Sequence, residues 1–213
     1  MKTGALIAAL ATDSAPVDPS AAETHFYLKL AVGSASALIA VLVLMGIRPD
    51  WAEASVLPMF WMKLVLPAGV AAGALVGLRR LSYPGMRLGR VLALAALPVG
   101  AVWMMAGLAL LATPAGQRLP LVLGRTWLEC LVGISLLSVP AFAFAIWAAR
   151  ELAPTRLPLT GAAAGLFAGA AAAFAYAIHC PEAEAPFLAV WYVLGMAIPA
   201  GAGALLGHRL LHW

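Results

Sequence analysis

Between Leu28 and Gly207 the chain passes six times through an apolar stretch of about 20 residues that carries almost no charge. The stretches run near Leu28–Ile47, Leu57–Leu78, Val91–Leu111, Trp127–Trp147, Leu157–Ile178 and Phe187–Gly207. Each has the length a tilted helix needs to cross a hydrocarbon core. Inside lipid every backbone polar group must be satisfied within the structure, which leaves helices or a closed barrel. No segment alternates apolar and polar residues as a barrel strand must, so the stretches read as helices. Between them stand turn-formers and charges: Arg48-Pro49-Asp50, Arg79-Arg80 through Tyr83-Pro84-Gly85, Thr113-Pro114-Ala115-Gly116, Ala153-Pro154-Thr155 and His179-Cys180-Pro181-Glu182. The expected fold is an all-α integral membrane protein: a six-transmembrane-helix bundle over residues 28–213, behind a short segment at residues 1–27. Charged residues make up 10% of the 213 and apolar residues 64%. That balance excludes an ordinary soluble domain, a disordered chain and a disulfide-dense secreted protein. The formal net charge of +4 therefore bears on topology, and no direct nucleic-acid partner is expected.

The basic residues set the orientation. With the amino terminus in the cytoplasm, the inner side holds Lys2, Lys29, Arg79, Arg80, Arg87, Arg90, Arg150, Arg156 and Arg209. The outer side holds Arg48, Lys63, Arg118 and Arg125. The excess of Lys and Arg on cytoplasmic loops places both termini inside, in a bacterial inner membrane. The segment Lys2 to Ala11 has the basic start and apolar run of a weak signal peptide, but its removal would oppose this charge distribution. It reads instead as a short cytoplasmic helix over Thr3–Thr12 with Leu6, Ile7 and Leu10 on one face, followed by a Pro-containing linker at residues 13–20. Such a face on a tether is a candidate docking element for a partner protein.

Small residues recur every four positions: Gly69, Gly73 and Gly77; Gly161, Gly165 and Gly169; Gly195, Pro199, Gly203 and Gly207. This spacing lets membrane helices approach closely, and tight packing is the expected use rather than a permeation path. Lys63 and Glu129 are the ionisable residues nearest to a span interior. Both lie within about two turns of an outer end, where a side chain is expected to snorkel to the interface.

The chain has two cysteines, Cys130 and Cys180, and no Cys-x-x-Cys. The topology puts both on the outer face at similar depth, near Glu129, His179, Glu182 and Glu184. Two thiolates with an imidazole would suit a soft metal such as copper, cadmium or zinc. The same pair could close into a disulfide, or serve as two small buried hydrophobes. Cys130, Cys180, His179 and Glu182 are thus the candidate signal-sensing residues, with no obligatory cofactor and no catalytic group.

Several strings, taken in order and spacing, carry a resemblance: Met1-Lys2-Thr3 with Leu6-Ile7, Arg48-Pro49-Asp50, Phe60-Trp61-Met62-Lys63, Tyr83-Pro84-Gly85, Thr126-Trp127-Leu128-Glu129-Cys130, Ala153-Pro154-Thr155-Arg156, His179-Cys180-Pro181-Glu182 and Trp191-Tyr192. Together they resemble the NrsF family of bacterial inner-membrane anti-sigma factors over essentially the whole chain. The resemblance implies six transmembrane helices and negative regulation of an extracytoplasmic-function (ECF) sigma factor, the cytoplasmic partner. It also implies that Cys130 and Cys180 sense heavy-metal or oxidative stress. Family members often carry acidic residues after the Met-Lys-Thr start, where this chain has Gly4-Ala5. The alternative from another class is a small membrane transporter or metal permease. A thiol–disulfide membrane enzyme is disfavoured by the missing Cys-x-x-Cys.

Overall fold

Helices occupy each of the apolar stretches, and the described residues contain no strand. The computed structural model describes residues 3–12, 19–86, 88–89 and 91–212. Most of the expected linker (residues 13–18) and two of the basic loop residues, Arg87 and Arg90, lie outside the described residues, as do the side chains of Leu6 and Leu10. The helices are α1 (Thr3–Thr12), α2 (Pro19–Ala40), α3 (Trp51–Ala54), α4 (Pro58–Ser82), α5 (Val91–Ala112), α6 (Ala115–Leu123), α7 (Trp127–Arg150), α8 (Leu157–Tyr176), α9 (Ala185–Phe187) and α10 (Val193–Leu210). Wider π-helical turns over Val41–Met45 and Leu188–Tyr192 continue α2 and join α9 to α10. Among the described residues, six segments are long and apolar enough to cross a membrane: Ser20–Met45, Pro58–Ser82, Ala93–Ala112, Ala115–Arg150, Leu157–Tyr176 and Ala185–Leu210.

Two boundaries differ from the sequence expectation. Pro19 and Ser20, expected in the linker, open α2. Proline is tolerated at a first helical position because its missing N–H has no partner there in any case. The stretch after Pro114, expected as a loop, contains α6, which ends at Gly124 with φ +58°. Left-handed backbone there suits glycine, and a Cβ would fall 2.6 Å from the Phe187 ring.

The centre of the bundle is α8, which packs against α10, α7 and α4, with α2 on α7 and α5 on α4 at the periphery. The small-residue rows explain this arrangement. Gly161 of α8 meets Gly203 of α10 backbone to backbone, and a Cβ on Gly165 would lie 2.8 Å from Ala200 Cα. Gly73 of α4 sits equally close to α5, where a Cβ would lie 2.6 Å from Ala95 N. Most of these glycines are met by neighbouring backbone or side chains, the close packing expected of such rows, while Gly73 and Gly77 also border a small apolar cavity between α4, α5 and α8.

Packed side chains form two groups, one toward each end of the bundle. Phe26, Leu30, Leu78, Ala145, Ala149 and Leu211 are buried at one end. Here Arg79 pairs with Glu23 at 2.5 Å, and Lys29 pairs with Glu151 while its Nζ stands 4.6 Å from the Trp147 ring centroid. Cys130, Ile134, Tyr176, Cys180, Phe187 and Tyr192 are buried at the other. Helices α7 and α8 form an antiparallel hairpin between these groups. It is closed at the arginine-bearing end by residues 151–156, where Ala153 takes φ +54°. Its opposite end is open, and both cysteines stand there.

Candidate functional site

Each element of the open end contributes one group for a local reason. Cys130 lies in the first turn of α7, its N–H bonded to Thr126 O at 2.9 Å. Cys180 follows α8 in a tight turn, its N–H bonded to Tyr176 O at 3.0 Å, before Pro181 ends any helical continuation. Both are free thiols with no exposed surface. They are close enough for the Cys130 S–H to donate to the Cys180 sulfur. The Cys180 thiol is held well below its ordinary value, first by that hydrogen bond, then by the nearby Lys63 ammonium and the Glu182 backbone N–H. Burial opposes the shift without cancelling it.

Lys63 corrects the sequence reading. Expected to snorkel outward, it is fully buried on α4, and its Nζ donates to Cys180 O at 2.5 Å and Glu182 O at 2.7 Å. The ring of Tyr192 lies 5.5 Å from the same ammonium. Snorkelling loses here because two carbonyls of the 180–182 turn satisfy the charge inside the protein. Tyr192, also missed, is fully buried; its hydroxyl makes no hydrogen bond of standard geometry and has the Cys180 sulfur as its polar neighbour. The signal available for both was their place in the strings Phe60-Trp61-Met62-Lys63 and Trp191-Tyr192, without any indication of role.

The structure brings the two cysteines together but turns the other two candidates elsewhere. His179 Nδ1 is 3.1 Å from Gly46 O, with its ring 5.9 Å from that of Tyr176. The Glu182 carboxylate accepts the Arg125 backbone N–H at 2.8 Å. Among the described residues no group of three or more His, Cys, Asp or Glu side chains converges as a metal-binding set. Glu129 is exposed in the first turn of α7. Of the three docking candidates Ile7 is exposed; the side chains of Leu6 and Leu10 are outside the described residues. On the rim of the site Arg48 grips Asp50 through Nε at 2.7 Å and Nη2 at 2.5 Å, which holds the Asp50 carboxyl below its usual range. Trp191 Nε1 donates to Val122 O at 2.8 Å and its ring stacks 4.8 Å from Trp127, fastening α6 and α7 to the turn before α10.

Fold and site together define a helical protein of membrane-spanning dimensions with a buried pair of thiols at one end of its bundle. The family model described as NrsF, negative regulator of sigma F, matches residues 10–213. Over the full length of both chains, the sequence is 43% identical to the probable anti-sigma-F factor NrsF of Azospira oryzae. It is 36% identical, again across both whole chains, to the anti-sigma-F factor NrsF of Caulobacter vibrioides. No solved structure gives a significant match. The chain belongs to the NrsF family.

Proposed function

We propose that this chain is a membrane-embedded anti-sigma factor. It holds an ECF sigma factor at the cytoplasmic face and releases it on a thiol-reactive signal received at the outer face. Family membership over residues 10–213 supports the regulatory class. The observation that carries the sensing mechanism is the meeting of the Cys130 and Cys180 thiols at the open end of the α7–α8 hairpin. A hairpin closed at one end by six residues and joined at the other by two sulfurs is a lever. Changing the bond between the sulfurs changes how the two helices cross, and the shift reaches Arg150 and Arg156 at the far end.

Soft metals and oxidants are the natural inputs. Thiolates bind copper, cadmium or zinc far better than oxygen ligands do, and two adjacent thiols close into a disulfide by losing two electrons. Reversing a 99:1 population of the sigma-bound state needs about 5.5 kcal/mol of differential stabilisation. Four-ligand zinc sites in small peptides contribute about 10–16 kcal/mol, so a site built on two thiols needs roughly half of the lower figure. The exposed Ile7 on α1 follows Leu6 directly and lies about one turn before Leu10, and these three form the docking face.

The test is to extract the full chain in mild detergent from its own membrane and identify the cytoplasmic protein that co-purifies with it. A small sigma factor that is retained without cadmium or diamide and lost with either is the expected result. Recovery of no sigma factor, with the protein intact and helical, would contradict the proposal.

A further inference from the structure

We propose that Lys63 is the positioning residue of the thiol pair, holding Cys180 against Cys130 by binding the carbonyls of residues 180 and 182 from a third helix. This inference rests on the reading of the cysteines as the sensing site, but it can be measured without any sigma factor. Nothing covalent links α4 to either cysteine. The turn bearing Cys180 is short and follows the end of α8, so its own backbone hydrogen bonds fix only its first residues. Beyond them the chain runs through Pro181 to Glu184 without helix. The Lys63 ammonium closes this segment from below, donating to Cys180 O at 2.5 Å and to Glu182 O at 2.7 Å. The Glu182 carboxylate closes it from the other side on the Arg125 N–H at 2.8 Å. A lysine ammonium has three donors; two of them serve these carbonyls, and the ring of Tyr192 lies 5.5 Å from the same Nζ.

A fully buried lysine is costly unless it is satisfied, and two backbone carbonyls beside a reactive thiol are a specific way to satisfy it. Packing alone would be served by methionine or leucine. What the ammonium adds is direction: it fixes the Cys180 backbone relative to α4, and so the distance between the sulfurs. That distance sets the effective concentration of one thiol for the other, and hence how readily both bind a single metal ion or form one disulfide.

The experiment uses purified full-length protein in detergent, equilibrated in glutathione buffers. Two thiols give up two protons and two electrons to oxidised glutathione, which leaves as two molecules of reduced glutathione while the Cys130–Cys180 bond forms. The equilibrium constant is read by counting free thiols. Lys63→Met should lower it at least about tenfold, equal to about 30 mV in potential. Lys63→Arg, which keeps charged donors on the same stem, should stay within about threefold of the parent. A Lys29→Met control, at the opposite end of the bundle, should not move it. An unchanged constant in a folded Lys63→Met protein overturns the proposal. So does failure of Lys63→Met to accumulate when both cysteines are already serine, since the lysine would then serve folding and not the thiols. Loss of sigma-factor binding in the parent protein would bear on the regulatory reading and leave this result standing.

Discussion

Cys130 and Cys180 are chemically distinct although they share one pocket. The Cys180 sulfur accepts from Cys130 and sits near the Lys63 ammonium, both of which favour its thiolate form. Replacing either sulfur leaves one group unable to close a disulfide or bridge a metal. Cys130→Ser, Cys180→Ser and the double variant should therefore all give the same uninducible repressor, measured as sigma-dependent reporter activity after cadmium or diamide. Equal losses mark a shared unit, because partners in one unit are non-additive. A normal response in either single variant would return the cysteines to a packing role. The cysteines were legible in the sequence because topology put both near the same face. The roles of Lys63 and Tyr192 were not. Position along a span tells how far a lysine is from the interface, but not that a turn more than a hundred residues later will bring two carbonyls to it.

At the scale of elements, hydropathy alone was enough to count the long helices, since lipid leaves an apolar stretch of that length few alternatives. Their ends were less legible. The start of α2 at Pro19 depends on a first-turn tolerance for proline, and α6 is a short helix with no buried residue, held by its neighbours. The contact of α8 with α10 has the least tolerance for added volume. Gly165→Leu would push a branched side chain into the Ala200 backbone, and overpacking of this kind costs about 1–3 kcal/mol or more. We expect a lower melting temperature in detergent and lower steady-state abundance, while Gly100→Leu, where a Cβ meets nothing within 4 Å, should be neutral. Helix α1 carries a different prediction. Its ten residues are too few for a stable isolated helix in water, so it should order on its partner. Leu6→Asp with Leu10→Asp should leave the sigma regulon permanently on while the protein still inserts; repression that survives at normal abundance would remove α1 from the docking site.

For the whole molecule, the account requires the two ends of the bundle to face opposite compartments. The arginine-bearing end, with Arg79, Arg150, Arg156 and Arg209, should be cytoplasmic by the positive-inside rule. A cytosolic reporter fused after Trp213 should be active. In a cysteine-free background, Glu53→Cys, an exposed position at the thiol end, should react with an impermeant maleimide in intact spheroplasts; labelling after lysis alone would invert the topology. The central claim, that a change at the thiols at one end frees a protein held at the other, is tested most directly on the purified complex. The full chain is reconstituted in nanodiscs with its sigma factor bound and fluorescently labelled, and dissociation is followed after adding cadmium or diamide. The account predicts prompt release from the parent complex and none from the Cys130→Ser/Cys180→Ser complex. Release at equal rates from both, or from neither, would contradict it.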